Sequence, residues 1–237
     1  MSPVTRIGHR GAAGHALENT LAAVRKGIDL GVDFVEIDVR RTADGSVVVL
    51  HDATIGRTTE GRGRVEALSL SQLRMFATGN GERVPTVEEV LKVAAGRTGV
   101  MLELKVAEVA RLTVQAVHNV EFRSPVIYAS FLHDELAQVR AIAPDAALMP
   151  LFDRLPRDPV AHAMRYYPGY VGLRHDRASR ALVEAFHQEK VLVWVYTPNT
   201  PADISRAVSL GVDGVISDFP ERIPPLPSQC RPVGKSL

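Results

Sequence analysis

Two polar side chains with the means to do chemistry follow the first apolar run of the chain. His9 and Arg10 stand directly after Val4–Gly8 in the stretch VTRIGHRG. An imidazole moves a proton near neutral pH, and a guanidinium holds negative charge. The pair therefore suits chemistry on an anion, although a solvated turn is also consistent with these residues.

Three carboxylates lie in two later apolar segments. Glu36 and Asp38 are two residues apart in FVEIDVR, so both point to the same side of a strand, and Glu103 precedes Lys105 in VMLELK. Acids inside a barrel are costly unless positive charge meets them. Their oxygens are ligands that suit Ca²⁺ or Mg²⁺. Taken alone, Glu103 with Lys105 is equally consistent with a structural ion pair.

A second histidine, His51, ends the apolar stretch VVVLHD. One histidine at a strand end is commonly structural, but two histidines, three acids, an arginine and a lysine at the ends of four consecutive strands indicate a functional cluster. With a divalent cation added, the formal charges of this cluster leave one positive charge, which a monoanionic phosphodiester would neutralise. One histidine would accept a proton from the nucleophile, and the other would donate one to the leaving alkoxide.

The elements that must position these residues alternate along the chain. Short β-branched runs predict strands at Val4–Gly8, Phe34–Val39, Val47–Leu50, Val100–Leu104, Val126–Ala129, Ala147–Leu151, Tyr170–Leu173, Val191–Tyr196 and Gly214–Ile216. Helical periodicity predicts helices at Thr20–Leu30, Thr86–Ala95, Val106–Val120, His133–Ala143, Ser179–Glu189 and Ala202–Leu210. Repeated strand–helix units of this size favour an α/β fold of the TIM-type (β/α)8 barrel, whose active groups sit at the carboxyl ends of the strands.

Three features predict departures from a regular barrel. Nine strand candidates compete for eight places, and RTADGS between the second and third candidates reads as a tight turn, not a crossover helix. The polar segment 53–83 predicts a small excursion after strand three. We expect one domain over residues 1–223 and a proline-rich tail over 224–237.

Bulk composition limits the classes of partner and compartment. The chain has 237 residues, 46% of them hydrophobic, which suffices for a sizeable core, and its net charge of +1 gives no electrostatic case for nucleic acid. Its one cysteine, Cys230, excludes an intrachain disulfide and a cysteine-rich metal site. No signal-peptide core or membrane-length apolar stretch is evident, so we expect a soluble cytoplasmic protein; the oligomeric state is left open.

A series of motifs then resembles one known family. In order along the chain stand HRG, ENT, EIDV, TADG, VVLHD, RTTEGRG, PTVEEVL and LELK, followed by ASF at 129–131, Trp194 and GVDGVISDFP at 211–220. This ordered set resembles the glycerophosphodiester phosphodiesterases in their short bacterial form. The resemblance implies a distorted barrel that cleaves a small glycerophosphodiester to sn-glycerol 3-phosphate and an alcohol.

The resemblance also implies a role for each cluster residue. His9 and His51 would be the acid–base pair, and Arg10 would contact the phosphate in catalysis. A divalent cation, Ca²⁺ or Mg²⁺, would be held by Glu36, Asp38 and Glu103. The further candidates for substrate binding are Lys105, Phe131 and Trp194. The strand VWVYT at 193–197 keeps the family's tryptophan but changes the polarity of the residues that follow it.

Several alternatives stay open. We start from His9 as base and His51 as acid, although the sequence is symmetric on this point, and either water or a glycerol hydroxyl is an acceptable nucleophile. A lysophospholipase D and a non-catalytic barrel that binds phosphate esters are alternative functions. A glycosidase is excluded, because Glu36 and Asp38 are too close on one strand to flank a sugar bond. Asp218 is expected to close the barrel, not to join the chemistry.

Overall fold

A closed barrel of parallel strands forms the body of the protein. The computed structural model describes residues 4–224. Its strands are β1 (Thr5–Gly8), β2 (Phe34–Arg41), β3 (Val47–Val49), β4 (Gly99–Leu104), β5 (Val126–Ser130), β6 (Ala147–Phe152), β7 (Tyr170–Arg174), β8 (Leu192–Tyr196) and β9 (Gly214–Ser217). Eight of these strands pair in parallel in the order β1-β2-β4-β5-β6-β7-β8-β9, and β9 pairs back with β1 to close the barrel. The predicted TIM-type fold is confirmed.

The remaining strand, β3, explains the surplus candidate of the sequence. It pairs antiparallel with β2, with Arg41 opposite Val47 and Val39 opposite Val49. The turn between them places Gly45 at φ +79°, a conformation that glycine adopts without strain. The predicted tight turn is therefore a hairpin that extends β2 beyond the barrel rim.

Helices cover the outside of the barrel. They are α1 (Leu21–Asp29), α2 (Leu70–Leu73), α3 (Val87–Ala94), α4 (Ala110–Asn119), α5 (His133–Ile142), α6 (Pro159–Met164), α7 (Arg180–Gln188) and α8 (Pro201–Ser209). Hydroxyl side chains begin four of the longer helices by accepting a backbone N–H: Thr20, Thr86, Ser179 and Thr200. The buried faces of these helices pack against outward-facing valines and leucines of the strands, which forms the outer core.

A second, smaller core fills the inside of the barrel. Inward-facing apolar side chains of alternate strand positions meet there, and they include Ile7, Met101, Ile127, Met149, Trp194 and Ile216. Packed side chains therefore close the barrel below the carboxyl ends of its strands, and only those ends are left for polar groups.

Three helices differ from the prediction, and one of them, the unpredicted α2, lies in the 53–83 excursion. Helix α4 begins at Ala110 and not near Val106, because Glu108 has φ +62° and the Glu135 carboxylate accepts the backbone N–H groups of residues 108 to 110. Helix α6 was not predicted. It is only six residues long, and Asp158 followed by Pro159 is its one strong start signal.

The 53–83 excursion folds onto the β2–β3 hairpin. It contains a short 3₁₀ turn at Val65–Ala67 and helix α2, which begins with a capping box between Ser69 and Gln72. Ile55, Leu73 and neighbouring apolar side chains give it a small core of its own. Of the predicted tail, residues 225–237 lie outside the described part of the chain. Among residues 4–224, no helix has the length and apolar character needed to cross a bilayer.

Candidate active site

Three carboxylates meet at the carboxyl ends of two neighbouring strands. Asp38 on β2 and Glu103 on β4 are register partners, and Glu36 lies two residues earlier on the same face of β2. One oxygen from each residue lies within 4.8 Å of the others. All three are largely buried, and Glu36 Oε1 has no hydrogen-bond partner among the described residues. A buried carboxylate oxygen without a partner in a ring of oxygen donors fits a divalent cation.

Cationic side chains flank the carboxylates on both sides. Arg10 Nε lies 3.2 Å from Asp38 Oδ2, and the Arg10 backbone N–H donates to Glu36 Oε2 at 2.8 Å. Lys105 Nζ lies 3.4 Å from Asp38 Oδ1 and 2.5 Å from Glu103 Oε1. The pairing between Glu103 and Lys105 that the sequence allowed as purely structural is therefore part of a larger charged cluster.

Burial and mutual repulsion separate the pKa values of the three acids. Burial, followed by the charge of Asp38, raises the pKa of Glu36 to about 8. The same two influences raise the pKa of Glu103. Burial also acts to raise the pKa of Asp38, but Lys105 and Arg10 outweigh it and hold that pKa below its usual range. The cluster thus favours a bound positive species, either a proton or a metal ion.

Each of the two histidines, His9 and His51, is hydrogen-bonded through Nδ1 to an aspartate. His9 donates its Nδ1–H to Asp218 Oδ1 at 2.6 Å, and His51 donates its Nδ1–H to Asp52 Oδ1 at 2.7 Å. A carboxylate at Nδ1 fixes the ring orientation and leaves Nε2 for proton transfer. His9 Nε2 lies 4.0 Å from Glu36 Oε2, so this nitrogen faces the carboxylate cluster.

The pKa values of the two histidines move in opposite directions. Burial acts to lower the pKa of His9, but the hydrogen bond to Asp218 and the charge of Glu36 outweigh it, so that pKa is raised. The pKa of His51 is lowered, first by burial, with Arg10 and Lys105 acting in the same direction. An acid–base pair needs such a difference, because its members must begin in opposite protonation states.

One cavity of about 180 Å³ joins these groups. Its polar lining consists of both histidines, Arg10, Lys105 and two of the acids, and its aromatic and apolar lining includes Phe131, Tyr196, Leu151 and Ile216. The Lys105 ammonium lies 5.8 Å from the centre of the Phe131 ring. A larger, more open depression of about 460 Å³ beside α3 and α4 lies away from this cluster.

Among the predicted site residues outside the carboxylate cluster, Trp194 is the one that does not line the cavity. Its side chain is 1% exposed and packs edge-on against Phe34 and Tyr170 inside the barrel. Because side chains alternate along a strand, Tyr196 lies on the same face of β8 but nearer its carboxyl end. Tyr196 therefore occupies the wall position that had been assigned to Trp194.

Asp218 has a contact that its expected place at the barrel closure did not suggest. Asp218 does follow the closing strand β9, but its carboxylate contacts His9, and its other oxygen accepts the Asn199 side-chain amide at 2.6 Å. The sequence signal was weak, because His9 and Asp218 are separated by 209 positions. The Asn19 side-chain amide donates to Asp38 Oδ2 at 2.7 Å and so supports the carboxylate cluster.

A family comparison decides the identity of the chain. Residues 9–222 match the family model of the "Glycerophosphoryl diester phosphodiesterase family". The chain belongs to this family. It is accordingly a phosphoric diester hydrolase, and the resemblance seen in the sequence is confirmed.

Individual relatives agree with the family assignment. The glycerophosphodiester phosphodiesterase of Caldanaerobacter subterraneus subsp. tengcongensis is 31% identical over 238 residues, which cover 92% of this chain and 95% of the relative. A phosphodiesterase of Oleispira antarctica, solved in complex with the product sn-glycerol-3-phosphate, has a TM-score of 0.87 and 26% identity over 93% of this chain and 95% of its own. The solved glycerophosphodiester phosphodiesterase of Agrobacterium tumefaciens has a TM-score of 0.81 and 28% identity, covering 94% and 99%. Glycerophosphodiester phosphodiesterase activity is thus the coarse function of the chain.

Proposed function

We propose that the protein hydrolyses small glycerophosphodiesters to sn-glycerol 3-phosphate and an alcohol, with a divalent cation and two histidines at the centre of the reaction. One observation carries the proposal: two members of the three-carboxylate cluster, Glu36 and Glu103, line the same cavity as both carboxylate-bound histidines. The product complex of the Oleispira antarctica relative supports the choice of substrate.

Glu36, Asp38 and Glu103 would hold the cation, which is Ca²⁺ or Mg²⁺ by ligand type. The cation supplies positive charge to the phosphate oxygens and so stabilises the extra negative charge of the transition state. Arg10, whose guanidinium is held at the cluster by Asp38, would contact the same phosphate. Lys105 keeps the charge of Asp38 and Glu103 balanced and contributes a further positive charge to the cavity wall.

The opposite pKa directions of the histidines support an assignment opposite to our starting one. A raised pKa favours the protonated form of His9, which suits the acid that protonates the leaving alkoxide. A lowered pKa favours neutral His51, whose free Nε2 suits the base that accepts a proton from the nucleophile. We therefore propose His9 as acid and His51 as base.

A substrate with an activated leaving group tests this assignment. The p-nitrophenyl diester of glycerol 3-phosphate needs no proton at its leaving oxygen, unlike glycerophosphocholine. We expect His9→Ala to lose about 10² to 10⁴ in kcat on glycerophosphocholine but much less on the activated ester. His51→Ala should lose activity on both. The opposite pattern, with the activated ester rescuing His51→Ala instead, would return the assignment to His9 as base.

The cation site is tested by a matched pair of substitutions. Glu103→Gln removes a carboxylate of the cluster, whereas Glu108→Gln alters a side chain that is 80% exposed. We expect Glu103→Gln to weaken Ca²⁺ or Mg²⁺ binding, measured by calorimetry, and to lower the release of sn-glycerol 3-phosphate. Glu108→Gln should leave both unchanged. Equal metal affinity in the two variants would count against the site.

One observation favours a second candidate, the lysophospholipase D reaction. The loops after β5 and β6 expose the apolar side chains of Phe131, Leu132 and Leu155, and Phe131 also lines an adjoining depression of about 380 Å³. An acyl chain could lie over such a surface. Comparison of kcat/KM for lysophosphatidylcholine and glycerophosphocholine separates the two reactions. Binding of sn-glycerol 3-phosphate without turnover of either substrate would instead indicate a barrel that only binds.

A further inference from the structure

A chain of alternating charges connects Arg10 and His51, two residues that line the cavity. At one end, the Arg10 guanidinium donates to Glu18 Oε1 at 2.7 Å. At the other end, His51 donates to Asp52 Oδ1. Between Glu18 and Asp52 stands Arg57, a residue of the 53–83 excursion. The proposed phosphate contact and the proposed base are therefore joined through three side chains.

Arg57 meets the two carboxylates with two different edges of its guanidinium. Its Nε and one terminal nitrogen donate to Asp52 at 2.6 and 3.2 Å. Both terminal nitrogens donate to Glu18, at 2.7 and 2.8 Å. Four of the five N–H groups of the side chain are thus engaged in one plane, a geometry that a lysine cannot reproduce.

The excursion holds the backbone around Arg57 in place. Ile55 is fully buried, and its backbone N–H donates to Gly63 O at 3.1 Å. The Thr59 hydroxyl donates back to Ile55 O at 2.8 Å, which closes a tight turn over residues 55–59. Gly61 lies so close to Phe76 that an added Cβ would stand 2.4 Å from the ring. The Arg57 side chain, 47% exposed, therefore extends from a packed loop.

Without Arg57, both carboxylates would lose their main partner. Bonds from Arg57 are the principal reason that the pKa of Asp52 is held far below its ordinary value. Burial acts to raise the pKa of Glu18, but Arg57 and Arg10 together outweigh it. A freed Asp52 could turn away from His51, and a freed Glu18 could draw Arg10 away from Asp38.

We propose that Arg57 is a positioning residue, which fixes the Arg10 guanidinium and the His51 imidazole relative to each other through Glu18 and Asp52. The inference rests on the proposed function, since it assigns Arg57 a part in the same reaction. The 53–83 excursion would therefore contribute to the site through Arg57, which links Glu18 and Asp52.

Steady-state kinetics on glycerophosphocholine with three variants tests the proposal. Arg57→Ala removes the bridge, and Arg57→Lys keeps its charge but cannot serve both carboxylates. Arg62→Ala is the matched control, an exposed arginine of the same excursion. We expect Arg57→Ala to lower kcat by about 10²-fold, the scale of a misplaced catalytic group. We expect Arg57→Lys to remain impaired although its melting temperature stays near the wild type, and Arg62→Ala to match the wild type.

Double variants identify the route of the effect. If Arg57 acts through Asp52, Arg57→Ala combined with Asp52→Asn should lower kcat no further than Asp52→Asn alone. If it acts through Glu18 on the phosphate contact, the increase in KM should likewise not add to that of Glu18→Gln. Additive losses in both pairs would overturn the proposed routes.

The outcomes distinguish failure of the role proposed for Arg57 from failure of the proposed function. A wild-type chain that releases no sn-glycerol 3-phosphate overturns both. An active wild type with the same kcat and KM in Arg57→Ala overturns the inference alone. Full recovery of kcat and KM in Arg57→Lys would also overturn it, because charge without the two-edged geometry would then suffice.

Discussion

Each histidine of the cavity depends on a carboxylate that is not a candidate metal ligand. Asp218 orients His9, and Asp52 orients His51. These carboxylates come from different places, one after the last strand of the barrel and one directly beside its histidine in the sequence. The sequence therefore revealed the histidines, but the partner of His9 became apparent only when the fold joined the two ends of the chain.

Removal of the Asp218 charge should impair His9 while the fold persists. Asp218→Asn keeps the shape of the side chain but weakens the bond that orients the imidazole and raises its pKa. We expect kcat on glycerophosphocholine to fall by about 10²-fold, the lower end of what an acid or base contributes, with KM little changed. Asp134→Asn, on the exposed side of α5, is the control. A kcat equal to that of the control would show that His9 does not need this partner.

The carboxylate cluster should make the stability of the protein depend on pH and on metal. The pKa of Glu36 is raised from 4.5 to about 8, so the folded chain holds a proton that the unfolded chain releases. Its stabilising effect is complete below the unfolded pKa and is lost as the pH rises through about 8. In EDTA, we expect the melting temperature to fall over this interval. Glu36→Gln should flatten the profile.

Divalent metal should oppose this loss, because the cation replaces the proton at the same oxygens. We expect Ca²⁺ or Mg²⁺ to raise the melting temperature more at high pH than at low pH. Binding should also release protons, which calorimetry in buffers of different ionisation enthalpy detects. A melting temperature in EDTA that rises across this pH interval would contradict the assignment of the proton to the cluster.

Among the elements, the loop from β1 to α1 sets the position of His9 and Arg10. Gly11 has φ +90°, and its N–H donates to the Glu36 carbonyl at 3.1 Å. An added Cβ would stand 2.4 Å from the backbone carbon of Ala23 in α1. Only glycine fits between the strand end and the helix at this point.

Two glycines with positive φ allow a controlled test of this loop. Gly45 in the β2–β3 turn has φ +79°, but an added Cβ there meets open space. We expect Gly45→Ala to cost about 1 kcal/mol of unfolding free energy and to leave kcat/KM unchanged. Gly11→Ala should destabilise the protein more and also lower kcat/KM, because Arg10 would be displaced. Thermal unfolding and kinetics of the two variants measure both effects; unchanged kcat/KM in Gly11→Ala would refute the role of the loop.

Periodicity predicted most elements because their burial is regular. The strand candidates coincide with β1–β9 within a few residues, since buried valine and leucine runs mark them, and Asp44-Gly45 marks the hairpin. Helix α6 and the start of α4 could not be predicted in the same way. The first is too short to show a period, and the second is set by Glu135, which lies 25 residues away from Ala110.

For the whole molecule, barrel closure turns scattered residues into one site. His9, the pair Glu36 and Asp38, His51 and Glu103 come from four separate segments of the sequence, and the ends of β1, β2 and β4 together with the β2–β3 hairpin bring them to one site. The rule that active groups lie at the carboxyl ends of barrel strands made this cluster predictable. The rule does not say which of two inward-facing residues on the same strand reaches the cavity. Trp194 was therefore predicted at the position on β8 that Tyr196 occupies.

The measurement that tests the account most directly is release of sn-glycerol 3-phosphate from glycerophosphocholine, before and after removal of divalent cations. Purified protein is assayed as prepared, after treatment with EDTA, and after re-addition of Ca²⁺ or Mg²⁺ in excess. The account predicts that EDTA abolishes release and that one of the two cations restores it. Undiminished release in EDTA, with no cation retained by the protein, would contradict the central claim that the three carboxylates hold a cation needed for the reaction.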